Sequence, residues 1–318
     1  MVDPPGHHPR HRGSGPYHPD PRSHGGDHQQ GHPRLPSAFA GAGPRSQPQR
    51  DRQGDEYACG QSLQQSIPWK KEIEEKLEEI EQKEQVRILY AVESGSRAWG
   101  FGSPDSDYDV RFVYVRPQEA YLRLEGVRDV IEWQLEVLDI NGWDLKKALI
   151  QFQRGNVTLF EWAASPIVYR TSEAWKKIYE TAQHYFSVKT AVHQYLGTAK
   201  NTYMQYLQDD MVRYKKYFYA IRPLLAVRYI EENRCPAPIL FEELMKQDLP
   251  ERLRAAIESV QRVKMISDEK KYNPQNPEIQ KFIAEELVRQ QEAAEALPKD
   301  RNDDWETLNH IFLETLRG

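Results

Sequence analysis

The stretch Glu93 to Arg111, ESGSRAWGFGSPDSDYDVR, constrains this chain more tightly than any other. Before it, Val86 to Val92 is apolar and β-branched enough for a buried strand, and its end runs into Tyr108 to Val115, an alternating second strand stopped by Pro117. Between the strands, Ser94-Gly95-Ser96 turns the chain and Ser96 to Trp99 makes a short helix ended by Gly100 and Gly102. Ser103-Pro104-Asp105-Ser106 is turn chemistry. A connection of this length brings the Gly-Ser turn and the Asp-x-Asp pair back over one pocket.

In a strand, side chains two apart point the same way, so Asp107 and Asp109 face one side and Tyr108 the other. Two carboxylates this close repel unless a cation lies between them. Magnesium takes hard oxygen ligands and shares substrate phosphates, which suits such a pair. Gly95 lets the backbone approach an anion, and Ser96 offers a hydroxyl and N–H groups to phosphate oxygens. Ser96 is equally suited to capping its own helix, but the strand, turn, helix and carboxylate strand in that order favour a nucleotide site. Two-metal transfer recruits a third carboxylate. The candidates are Glu132, Glu136 and Asp139; Asp139 is preferred because it interrupts the apolar Leu138 to Ile140, where a carboxylate costs stability unless paired or metal-bound, and Glu136 is its main rival.

Further along, a helix starting at Met211 carries Lys215 and Lys216 beside a Tyr214, Phe218, Ile221 and Leu225 stripe. One of them is expected to reach a triphosphate as a point charge, since neighbours on a helix diverge by about 100°. Arg97, directly after Ser96, is a further candidate phosphate contact. Trp99 and Phe101 are expected to pack rather than stack on a base. The tyrosines around them, Tyr195, Tyr203, Tyr206, Tyr214, Tyr217 and Tyr219, suit either stacking along an RNA end or an ordinary helical core.

Three segments follow from this reading. Residues 1–62, rich in Pro, Gly, Ser, Gln, Arg and His, lack the aliphatic content to offset ordering entropy and are expected to be a disordered tail. Seven of the ten histidines lie there, irregularly spaced and without carboxylate or cysteine partners, so no specific metal site is expected of them. Residues 63–166 hold the strands, with a helix opening at Ser66 or Pro68, a hairpin-like pair over Val127 to Ile140, and Asn141-Gly142 turning the chain into a helix at Trp143. Residues 167–318 read as helices, over 172–185, 187–209, 211–231, 239–247, 250–265, 277–293 and 304–316, with Pro223 bending or breaking the third. Strands first and helices last make an α+β fold followed by an all-α domain. A net charge of -5 gives no blanket attraction to nucleic acid. Two distant cysteines, Cys59 and Cys235, argue against a disulfide framework, and no apolar run nears the roughly 20 residues that span a bilayer, so the expected setting is the cytoplasm.

Gly95-Ser96 with Asp107 and Asp109 resembles the pattern of the nucleotidyltransferase, or DNA polymerase beta-like, superfamily. More narrowly, ESGSRAWGFGSPDSDYDVRFVYV, LDINGWDLKKAL, LFEWAASPIVYR and KKYFYAIRPLLAVRYI are similar to the RlaP group, also met as YcgL, of predicted nucleotidyltransferases associated with RNA repair. The resemblance covers Ser66 to Ala293 and implies a mixed sheet flanked by helices. It also implies transfer of a nucleoside monophosphate from an NTP, with ATP as the expected donor, to an acceptor hydroxyl, most plausibly an RNA end. On this pattern Asp107, Asp109 and Asp139 hold two magnesium ions and Gly95 and Ser96 form the phosphate turn. Ser94 departs from the superfamily's apolar residue before the glycine, which weakens inference about substrate from polymerases at large. The alternatives are an enzyme that transfers AMP to a protein and a nucleotide-binding module without turnover.

Overall fold

Six successive residues of β1 (Arg87–Glu93) are buried, which requires cover on both faces of the sheet. A computed structural model supplies that cover and describes residues 69–266 and 271–318 of the chain. The expected tail over 1–62, and the helix start at Ser66 or Pro68, lie outside the described residues. The first helix, α1 (Lys70–Glu84), buries Ile73, Leu77 and Ile80 and turns its Glu and Lys outward. A single turn, α2 (Gly95–Ala98), separates β1 from β2 (Tyr108–Val115), and α3 (Gln118–Tyr121) follows. Then come β3 (Val130–Leu135) and β4 (Leu138–Asp144), a hairpin whose turn holds Glu136 at φ +50°.

With β5 (Val168–Arg170), these strands form one sheet in the order β3-β4-β2-β1-β5. β2 and β4 are parallel and the other neighbours antiparallel, so the sheet is mixed, as expected. Its fifth strand comes from beyond residue 166. One face packs Val110, Phe112, Tyr114 and Ile140 against α1. The other packs Leu89, Val92, Val113 and Val115 against α4 (Leu145–Gln153), α5 (Val157–Ala163), α6 (Glu173–Ala182) and the last helix of the chain.

Asn141-Gly142 is not the helix start that its turn chemistry predicts. It lies inside β4, in register with Arg111 and Phe112 of β2. The glycine serves packing, since a Cβ at Gly142 would stand 2.1 Å from the Phe112 ring. The helix begins after Asp144, whose carboxylate accepts the Lys146 N–H at 2.8 Å as its cap.

The second half contains α7 (Val188–Tyr206), α8 (Lys215–Asn233), α9 (Phe241–Leu244), α10 (Glu251–Ile266), α11 (Pro277–Glu295) and α12 (Glu306–Arg317). The helix predicted over 211–231 starts late. Met211–Arg213 is instead a short strand, β6, paired with β7 (Tyr272–Pro274), and only Val212 of β6 is buried. That partner lies some 60 residues on, where local periodicity cannot see it. Nor does Pro223 end α8, which continues to Asn233 because apolar contacts surround it on all sides. Within that core Arg222, 3% exposed, pairs with Glu161 of α5 at 2.7 Å. The Tyr195 hydroxyl donates to the same carboxylate oxygen at 2.6 Å, so three helices meet at one buried charge pair.

Candidate functional site

Gly95 takes φ +61°, and a Cβ there would stand 2.1 Å from Asp109 Oδ2. The residue is therefore glycine for two reasons, a left-handed backbone and the carboxylate lying against it. The Ser94 N–H donates to the Asp109 carbonyl at 2.8 Å, which locks the turn onto β2. Ser96 sits in the one-turn helix α2, buried at 8% exposure. Ser96, Ser106, Asp107 and Asp109, from the Gly-Ser turn and the approach to β2, line a pocket together with Lys215, Tyr219 and Lys264 from the helical half of the chain.

The structure brings together Gly95, Ser96, Asp107, Asp109 and Lys215. Lys215 and Tyr219 lie one turn apart at the start of α8 and face the pocket together. Lys216 turns aside, with its ammonium 3.9 Å from the Tyr206 ring centroid and its pKa lowered first by burial and then by Arg213 and Lys215. Arg97 does not line the pocket. Its guanidinium donates to the carbonyls of Ser106 at 2.6 Å and Asp107 at 3.2 Å and lies over the Tyr108 ring. It braces the loop that presents the carboxylates, a use that local spacing does not reveal.

Asp139 stands beside Asp109 across the parallel β2–β4 ladder. Arg111, two residues after Asp109 and so on the same face, donates from one nitrogen to both carboxylates, at 3.0 Å to Asp109 and 2.8 Å to Asp139. A second nitrogen donates to the Asp139 carbonyl at 2.9 Å. The rivals are elsewhere: Glu132 pairs with Arg128 on the edge strand, and Glu136 is exposed at the hairpin turn. Asp139 is not part of the pocket wall, and among the described residues no group of three or more His, Cys, Asp or Glu side chains is placed to hold a metal ion.

Burial raises the Asp109 pKa; Arg111 pulls it down, and the charges of Asp139 and Asp107 push it up again. Glu93 sits just behind. It is 1% exposed; one carboxylate oxygen accepts the Asp109 N–H at 2.9 Å and the other the Tyr169 hydroxyl at 2.6 Å. Burial, more than any other cause, pushes its pKa from 4.5 up to about 7.

Trp99 and Phe101 pack as expected. Phe101 joins the helical core against Phe218 and Phe241, while Trp99 meets Tyr219 edge-on and carries Arg222 over its face. Among the tyrosines, Tyr195 and Tyr217 are buried in that core, and Tyr206 is exposed. Sequence reasoning missed Glu93, Ser106, Arg111 and Lys264. Three carried a visible signal: Glu93 prolongs a buried apolar run, Arg111 interrupts another, and Lys264 falls on the apolar stripe of its helix.

The donor set suits magnesium through Asp107 and Asp109, two hard carboxylates whose mutual repulsion a cation would relieve, with water and phosphate left to complete the shell.

Residues 69–314 match RlaP, described as an RNA repair pathway DNA polymerase beta family. YcgL, an uncharacterized protein of Bacillus subtilis (strain 168), is 41% identical over 253 residues, covering 78% of this chain and 96% of that protein. A crystal structure of a nucleotidyltransferase-like protein from Exiguobacterium sibiricum 255-15 shares 12% identity over 77% of this chain and 80% of that one. Its TM-score is 0.26, a likeness too distant to carry an inference. Among the described residues no helix is long and apolar enough to cross a membrane.

Proposed function

The chain belongs to the RlaP family of DNA polymerase beta-like proteins, and on that premise we propose that it is a magnesium-dependent nucleotidyltransferase that moves an NMP from an NTP, with ATP as the donor, to an acceptor hydroxyl. The observation that carries the reading is the pocket itself, which the Asp107 and Asp109 carboxylates, Ser96 and Lys215 line together. The carboxylates suit a cation, and the lysine and the turn suit an anion. A metal-bound triphosphate satisfies both.

Asp107 and Asp109 would hold the magnesium, which supplies charge to the α-phosphate and the departing pyrophosphate. Gly95 and Ser96 receive phosphate oxygens, and Lys215 closes on the triphosphate from α8. The acceptor oxygen forms its bond to the α-phosphorus as the bond to the pyrophosphate oxygen breaks, and the acceptor proton leaves toward Asp139. Asp139 lies outside the pocket wall and is paired with Arg111, so this role requires that pair to open toward the pocket. An RNA end is the proposed acceptor, in keeping with the family's RNA repair description.

A second reading, a nucleotide-binding module without turnover, is favoured by Arg111 joining Asp109 to Asp139 where a second ion would otherwise lie. Labelled NTPs, magnesium and RNA, given to the wild type and to Asp107→Ala/Asp109→Ala, separate the two. Transfer with pyrophosphate release by the wild type alone supports the enzyme. Equal transfer by both proteins would overturn it, and tight ATP binding without pyrophosphate release would favour the module.

A further inference from the structure

Alternate residues of a strand share a face, which in β2 sets Arg111 between Asp109 and the core residues Val113 and Val115. Its side chain is 18% exposed, and a guanidinium so far removed from water needs acceptors. It finds them on two strands. One terminal nitrogen donates to Asp109 Oδ1 at 3.0 Å and to Asp139 Oδ2 at 2.8 Å. The other donates to the main-chain carbonyls of Asp139 at 2.9 Å and Val110 at 3.1 Å. Parallel pairing sets Asp109 beside Asp139, and the arginine joins the two.

A magnesium ion shared by two carboxylates sits about 2.1 Å from an oxygen of each. Here one oxygen of each carboxylate already binds the same nitrogen, and an ion at that point would meet a permanent positive charge in a half-buried place. Asp139 also lies outside the pocket that Asp107 and Asp109 line. The residues therefore fit one ion at Asp107 and Asp109 and do not fit a second between Asp109 and Asp139.

We propose that Arg111 is a positioning residue that acts through Asp109 and stands where the second ion of a two-metal site would lie, so that the chain engages its NTP with a single magnesium ion. The proposal rests on the nucleotidyl-transfer reading and adds the number of ions to it. Asp109 divides its oxygens: Oδ1 takes the Arg111 bond, and Oδ2 lies against Gly95 at the turn. Holding Oδ1 fixes the carboxylate and leaves Oδ2 for the ion that Asp107 shares. Opening of the Asp139 pair, which proton transfer requires, leaves the bonds to Asp109 and to the Val110 carbonyl in place, so the guanidinium keeps its position.

A brace between strands and a stand-in for an ion differ in what their removal does to the ion count. The test is equilibrium dialysis of the full chain against Mn²⁺, a countable probe for magnesium, and an ATP analogue whose α- and β-phosphorus atoms are joined by a methylene group. The readout is the ratio of ions to nucleotide retained by the protein. That ratio is expected to be about one for the wild type and for Arg111→Lys, which keeps the charge, and about two for Arg111→Met, which opens both carboxylates to an ion. A wild type that retains about two ions per nucleotide would overturn the proposal, because the ions would then have displaced Arg111. An Arg111→Met variant that still unfolds cooperatively and retains about one would overturn it as well, leaving Arg111 as a brace between β2 and β4. Arg111→Gln carries the same comparison if Arg111→Met does not fold. A wild type that retains neither nucleotide nor ion would overturn the nucleotidyl-transfer reading itself, whereas a doubled count with nucleotide bound overturns only the role of Arg111.

Discussion

Replacing Glu93 by glutamine should flatten the pH dependence of stability. In the fold its carboxyl titrates at about 7, against 4.5 for the ordinary group, chiefly because it is buried at the end of β1. Between those two values the folded chain keeps a proton that the unfolded chain has released, so stability falls as pH rises. The proton's advantage is whole below about 4.5 and lost above about 7. At about 1.4 kcal/mol per unit, the full displacement is worth about 3 kcal/mol, of which about 2–3 kcal/mol falls between about pH 5 and pH 8. Glu93→Gln is neutral throughout and retains an oxygen for the Asp109 N–H, so it removes the slope while leaving that contact in place. The assay is urea unfolding followed by tryptophan fluorescence across that range, with EDTA present to exclude divalent ions. Asp109 and Asp144, whose carboxyls are also raised by burial, titrate in both proteins, so the difference between the curves isolates Glu93. The variant should gain on the wild type by that amount as pH rises. Parallel curves would refute the reasoning, because they would mean that Glu93 is ionised in the fold at no cost.

Gly95→Ala should lose stability on two counts, about 1–2 kcal/mol for a left-handed residue with a Cβ and about 1–3 kcal/mol for the contact with Asp109. Because the displaced atom is the Asp109 carboxylate, ATP and magnesium binding should fall with it, and calorimetric titration that finds both unchanged would count against the close approach. Arg222→Met should cost about 3–5 kcal/mol in urea unfolding, since it leaves the Glu161 carboxylate without its buried partner. Adding Glu161→Gln should restore most of that loss, and a single-variant loss below about 1 kcal/mol would show that the pair is not fully desolvated.

The local part of the site was legible in the chain. The chain running into β2 brings Asp107 and Asp109 to one pocket, and the Gly-Ser turn after an apolar strand brings Ser96 to it. Helical geometry predicted that only one of Lys215 and Lys216 would face inward, and Lys215 is that residue. These are properties of period and turn chemistry within some 20 residues, and neighbouring side chains alone decide them. Asn141-Gly142 shows where this stops, because a glycine chosen for the approach of Phe112 looks in sequence like one chosen for a turn. Arg97 shows the same for charge: its spacing after Ser96 suggests a phosphate, yet the loop carbonyls claim it first.

By itself, then, the sequence determined the strand, turn and carboxylate order, the mixed α+β class and the family. Only the tertiary structure decided that Arg111 bridges Asp109 and Asp139, that Glu93 stands behind Asp109 against Tyr169, and that Lys264 reaches the pocket from 163 positions beyond Phe101. Spacing fixes which face of an element a side chain occupies. Which other element that face meets is set by packing the whole core, and in this chain the packing brings the charges of distant helices against the turn.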